Sequence, residues 1–255
     1  MTPSPAAPAW RATLAQTAME LRLTARRGEN LLVTIVIPAV LLLFFASVSV
    51  LPVGARAVDF LLPGVLALAV ISTSLVNLGI ATAYERYYGV LKRLGGSPLP
   101  RAGLIAAKML AVGVVECLQV ALLVAIAVAG FGWAPGPGAN LGLVLGAFVL
   151  GTLAFAGLGL AMAGGLRAEA TLAGANGLFL VLLLLGGVVM PIDHLPGPLA
   201  ALARVLPASA LSDLLRAGLG SGLATAPADV AGSFAVLAAW AIGATLLAVR
   251  AFRWE

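Results

Sequence analysis

Residues 104–131 read LIAAKMLAVGVVECLQVALLVAIAVAGF. This run is longer than the roughly 20 apolar residues that span about 30 Å of hydrocarbon. It has no period-two alternation, so it predicts a helix, not a barrel strand. It carries two charges, Lys108 near its start and Glu116 near its middle. A charge inside a membrane span usually faces a partner or a cavity.

Five further runs of this kind flank it, at 31–51 (with Pro38 inside), 60–84, 141–164, 171–190 and 230–249. They predict an all-α integral membrane protein of six transmembrane helices over residues 31–249, with a segment 1–30 before them and a tail 250–255 after them. Composition agrees: 62% of the 255 residues are hydrophobic and only 10% are charged. A soluble domain of this length could not hide that much apolar surface.

The net charge of +5 does not point to nucleic acid, because the cations sit in short loops between apolar runs. With the N-terminus in the cytoplasm, Arg11, Arg22, Arg26, Arg27, Arg86, Lys92, Arg93, Arg101, Lys108, Arg167, Arg250 and Arg253 lie at or near the inner side. Only Arg56, Arg204 and Arg216 fall outside. The positive-inside rule therefore predicts a multi-pass protein with both termini cytoplasmic. The excess of Arg over Lys, with abundant Ala and Gly, fits a GC-rich bacterial genome and hence a bacterial plasma membrane. The opening MTPSPAAPAWRATLAQ has no early apolar core and no cleavage site, so no signal peptide is expected there. No lipidation box is present either.

Three segments outside the spans are informative. Residues 9–27 place Trp10, Leu14, Ala18 and Leu21 on one helical side and Arg11, Arg22 and Arg26 on another. This predicts an interfacial helix, against the alternative of a partly ordered polar tail. Residues 85–103, ERYYGVLKRLGGSPLPRAG, predict a short helix with Tyr88, Leu91 and Leu94 on its apolar face, stopped by Gly95, Gly96 and Pro98. Residues 191–229 hold two apolar pieces, 199–206 and 210–219, separated by Pro207. Each is too short to span, which suits re-entrant or surface-lying helices.

The chemistry of a catalyst is sparse. A phosphate-binding loop needs Gly-x-x-x-x-Gly-Lys-Ser/Thr, but Lys92 precedes Arg93 and Lys108 precedes Met109. ATP-driven action by this sequence would draw its energy from another polypeptide. One Cys (Cys117) and one His (His194) make no metal set and no intramolecular disulfide. Asp193-His194 reads as a solvated loop pair, since a catalytic pair needs a nucleophile nearby. Gly142-x-x-x-Gly146 reads as intrachain packing first and a dimer contact second.

Glu116 has two readings. It is a polar contact in a translocation path or at a subunit interface, with Gln119 one turn away on the same side. Or it is a carboxyl kept neutral, or bonded to Asn77 or Asn176 of a neighbouring span. Ser72, Ser74 and Asn77 are among the polar groups of the second run.

The flanks of the third run resemble the membrane subunits of ABC-2 type exporters. Glu85-Arg86, Gly89-Val90-Leu91-Lys92-Arg93-Leu94, Ser97-Pro98-Leu99 and then Lys108 match that family's pattern. Pro191, Leu195-Pro196, Leu206-Pro207 and Leu215-Arg216 match its second pattern, in the family's order. Position 87 is Tyr87, where the family often has a second acid.

The resemblance implies a type V ABC exporter-like fold and a permease without nucleotide-binding or catalytic residues. ATP and Mg would be bound by a separate ATPase, in two copies, below two copies of this chain. Glu85, Arg86, Gly89, Leu91, Lys92, Arg93, Leu94 and Pro98 would form the coupling element, with Glu85, Arg86, Lys92 and Arg93 making its polar contacts. Residues 9–27 would be a connecting helix, and 191–219 would cap the exit. Asn77, Glu116 and Gln119 would line the path. The mostly apolar lining suits a hydrophobic or amphipathic cargo, such as a drug, natural product or lipid-like molecule. That makes a multidrug or antibiotic-resistance exporter the preferred expectation. A secondary transporter with its own coupling ion is the chief competing class. An intramembrane enzyme or a scaffold is weaker, for want of convergent polar groups.

Overall fold

The computed structural model describes residues 8–26, 28–47, 57–97, 99–188, 192, 195–220 and 229–252. The longer helices are α1 (Ala9–Arg26), α2 (Gly28–Ser47), α3 (Ala57–Tyr87), α4 (Val90–Gly95), α5 (Arg101–Phe131), α6 (Leu141–Gly165), α7 (Ala168–Leu185), α8 (Gly197–Arg204), α9 (Pro207–Leu219) and α10 (Val230–Ala251). Among the described residues α3, α5, α6, α7 and α10 are long and apolar enough to cross a membrane. The chain is a multi-pass membrane protein. The first run is represented by α2, whose described apolar part is Thr34–Ser47, with Pro38 inside it.

α3 is the axis of the bundle. Its first part, residues 60–71, is apolar all round, and a helix of that kind is buried on every side. Its most apolar window is 83% buried, against 17% for α10 and 22% for α7. α2, α5, α6 and α9 surround it, while α7 and α10 leave broad faces for lipid, including Leu180, Leu184, Ile242 and Leu246.

Lipid offers no hydrophobic drive between helices, so close approach must come from small residues. The seam runs along α6. A Cβ at Gly157 would lie 2.6 Å from the Ala244 carbonyl carbon of α10, and one at Gly159 would lie 2.7 Å from the Leu75 carbonyl oxygen of α3. The Gly142–Gly146 pair does not make this seam. A Cβ at Gly146 would meet only the Phe234 ring, at an ordinary 3.7 Å.

Several boundaries differ from the sequence reading. The second run continues as helix through Glu85, Arg86 and Tyr87, so the connector to α5 is shorter than 85–103. The fifth ends at Leu185 because Gly187 turns the chain with φ +65°. Pro207 opens α9 instead of merely separating two pieces: it forces Leu206 into an extended conformation and sits in the first turn. α8 and α9 meet at 76°. α8 is largely exposed, while α9 is buried against α3, α6 and α10. Arg216 of α9 stacks over Phe60 at 4.6 Å and donates to the Gly187 carbonyl. Pro191, Asp193, His194 and Pro98 lie outside the described residues.

Candidate functional site

Two linked polar systems run through the bundle. The first is inside the membrane span. Residues Ser72–Asn77 of α3, STSLVN, form a π-helical segment. Such segments are rare and recur at functional sites, because the widened turn re-aims side chains. Here it sends Thr73, Ser74 and Asn77 toward three different partners.

Thr73 Oγ1 donates to Gln119 Oε1 at 2.9 Å. Gln119 Nε2 donates to the Thr34 carbonyl of α2, also at 2.9 Å. Ser74 Oγ donates to one oxygen of Glu116, and Thr152 Oγ1 of α6 reaches the other. Thr152 Oγ1 also lies 2.8 Å from the Phe148 carbonyl. Asn77 Nδ2 donates to Thr34 Oγ1. Glu116 is 3% exposed and Gln119 is 1% exposed. α2, α3, α5 and α6 are thus tied at one depth by a side-chain network.

One sequence expectation is revised here. Glu116 is bonded to Ser74 and Thr152, not to Asn77 or Asn176. Asn176 is exposed and returns its amide to its own Leu172 carbonyl at 2.8 Å. Glu116 and Gln119 are buried among the helices, and Asn77 lines the cleft between α1, α2, α3 and α5. Thr34, Thr73 and Thr152 were not singled out in the sequence. A threonine in an apolar helix ordinarily bonds its own preceding carbonyl, so nothing local marks these three.

The second system lies at the end of the bundle that carries α1 and α4. Lys108 of α5 is 1% exposed. Its Nζ donates to Glu85 Oε2 of α3 at 2.6 Å and pairs with Glu20 Oε1 of α1 at 3.0 Å. Gln16 holds Glu20 at 2.9 Å. Sequence reasoning missed Glu20. The signal was a polar stripe at 13, 16, 17, 20 and 24 on α1, beside the apolar side. That stripe turns toward α5, with Thr17 buried, while Trp10 and Leu14 are exposed, as a helix lying on a membrane surface requires.

Arg86 makes the third fastening. Its guanidinium donates to the Gly164 carbonyl at 2.5 Å and to the Leu166 carbonyl. These groups lie at the C-terminal end of α6, where carbonyls lack helical partners. Glu85 and Arg86 were expected among the polar contacts of a coupling element. Both are turned into the protein, because the helix carrying them is a continuation of the central span.

What remains outward is α4. Gly89 opens it in the left-handed region, φ +70°. Leu91 is 1% exposed and pins the helix, with Leu94 half-buried beside it. Lys92 and Arg93 are exposed. Tyr88 is also exposed, and stacks on Tyr84 instead of joining an apolar face with Leu91. At the same end of the bundle Arg11, Arg22, Arg26, Arg101, Arg167 and Arg250 are exposed.

A bundle with a surface-lying entry helix, a short pinned helix between two spans and a bent helical pair before the last span is the architecture of a membrane permease. The family model of the ABC-2 type transporter matches residues 11–219, and the chain belongs to that family. It is accordingly the permease component of an ABC transporter. No curated protein matches the chain.

Proposed function

We propose that this permease is an exporter subunit, with both termini cytoplasmic in a bacterial plasma membrane. It moves a hydrophobic or amphipathic cargo, a drug or natural product by preference, using ATP and Mg bound by a separate ATPase subunit. Two copies of each subunit make the working unit, and the apolar faces of α7 and α10 meet lipid or the second copy.

The observation that carries this reading is α4. It is a short helix pinned by Leu91, presenting Lys92 and Arg93 at the end of the bundle where exposed cations gather. Cations gathered on one side support the cytoplasmic assignment of that end, which is where an ATPase would dock. Membrane and ATPase conformations then shift together as a two-state device.

The test is Lys92→Glu together with Arg93→Glu in liposomes containing this chain and its co-purifying ABC ATPase. ATP-dependent flux should fall by about ten-fold or more, the equivalent of about 1.4 kcal/mol, with insertion unchanged. Undiminished flux would remove α4 from the coupling path. Flux driven by a proton gradient without any ATPase would instead favour the secondary-transporter reading.

A further inference from the structure

Between α1, α2, α3 and α5 lies a partly open cleft of about 90 Å³. Its walls are mixed in a definite way. Leu23, Val112 and Val115 form part of an apolar body, and the charged set Glu20, Glu85 and Lys108 lines the same space. Two carboxylates face one ammonium, so the set carries a net charge of about −1. Both acids are mostly buried, with side chains 12% and 11% exposed. Lys108 occupies only Oε1 of Glu20 and Oε2 of Glu85. The second oxygen of each accepts no hydrogen bond among the described residues. The neighbouring cations of α1, Arg22 and Arg26, are exposed on its outer side.

We propose that this cleft binds a cationic amphiphile, an alkyl chain with an ammonium head group. It rests on the export reading and names the cargo class that reading leaves open. The spare carboxylate oxygens and the net negative charge select the head group. In a cleft with walls this buried a charge is only partly screened, so the wrong sign is costly. The valine and leucine walls take the first methylenes of the tail, whose burial is favourable. An anionic head group would meet two carboxylates and a lysine already engaged by both. A sugar head group would find too few hydrogen-bond partners among these walls.

The test uses the full chain in phosphatidylglycerol nanodiscs, whose lipid has no amine. The probe is a dodecylammonium carrying a diazirine on its chain, and the control is the matching dodecyl sulfonate. After photolysis, peptides are mapped by mass spectrometry. The ammonium probe should label peptides containing Leu23 and Val112–Val115, and the sulfonate should not. Glu20→Gln keeps the Glu85–Lys108 pair intact, so the fold is retained. It should lower labelling about two- to five-fold, the scale of one partly screened charge contact. Ala111→Leu narrows the cleft from its apolar wall and should lower labelling by the ammonium probe to background. Equal labelling by the two probes, labelling elsewhere, or indifference to Glu20→Gln in a variant that still melts like the parent would overturn the proposal. Labelling is read without ATP or an ATPase. Its failure therefore sinks the site and leaves the permease standing, whereas absence of ATP-driven flux in the parent chain with its ATPase would do the reverse.

Discussion

Removing Lys108 should cost far more than removing the whole ion-pair set to which it belongs. Lys108 sits 2.6 Å from Glu85 and 3.0 Å from Glu20. At an effective dielectric constant of about 20 these contacts contribute about 6 kcal/mol each, or about 12 in all. Burying the three charged groups costs several kcal/mol apiece, roughly the same sum. Gain and cost nearly cancel, so the triad adds little net stability. Its members nonetheless depend on one another. Lys108→Met leaves two carboxylates facing each other without a cation, and breaking a buried pair in this way costs about 3–5 kcal/mol. The triple variant Lys108→Met, Glu20→Gln, Glu85→Gln removes the charges together and should lie within about 1–2 kcal/mol of the parent, because a hydrogen-bonding group still fills each acidic position. The assay is unfolding of the purified chain in mixed micelles by increasing sodium dodecyl sulfate, read by tryptophan fluorescence. If the triple variant is no more stable than Lys108→Met alone, the triad is not a coupled electrostatic unit and the reasoning fails.

Three smaller effects can be read with the same assay. Glu116→Leu removes two intramembrane hydrogen bonds, which average about 0.6 kcal/mol each with a ceiling near 1.7. It should cost about 1–3 kcal/mol, and Glu116→Gln about half as much. Arg86→Ala strips the Gly164 and Leu166 carbonyls of a charged donor and should cost about 1.5–3 kcal/mol. Arg86→Lys should recover only part of that, because an ammonium lacks the planar fork that spans two acceptors. Gly157→Ala places a Cβ 2.6 Å from the Ala244 backbone and should cost at least about 1–3 kcal/mol by overpacking, while Gly113→Ala, which meets nothing within 4 Å, should be neutral or mildly stabilising.

The spans were legible because membrane thickness imposes a length and composition on each run. The breaks were partly legible, since Pro207 and the Gly95-Gly96 pair act locally. The networks were not. Glu116 and Gln119 stood out as costly residues on one face of α5, but their partners come from α2, α3 and α6, far away in the chain. A serine or threonine carries no mark that distinguishes bonding its own helix from bonding another. The π-helical turn was equally silent: STSLVN has no proline or glycine to announce it. Its widened geometry is accompanied by contacts that exist only after the helices have packed. Glu85 misled for a related reason. In sequence it opens a polar loop, and in space it ends the central helix with Lys108 beside it.

The two helices flanking α3 are held by opposite means. α6 relies on absence: Gly157 and Gly159 let the backbones of α10 and α3 come within contact of its own. α5 has no such backbone seam, since Gly113 and Gly130 face open space and Gly103 packs against the side chains of Thr13, Leu99 and Pro100. It is fixed instead by Lys108, Glu116 and Gln119, each reaching a partner on another helix. Dispersion between closely packed backbones is short-ranged and unforgiving of an added methyl. Side-chain hydrogen bonds tolerate small displacements and can exchange partners. The difference sorts the bundle into a part built to keep its shape, α6 with α10 and the backbone of α3 against Gly159, and a part whose contacts can be remade, α5 with α1, α2 and the side chains it bonds on α3. The cleft, the ion-pair set and the intramembrane carboxylate all belong to the second part. A permease that must alternate between two arrangements needs such a division, because a core held everywhere by close packing has only one arrangement to offer.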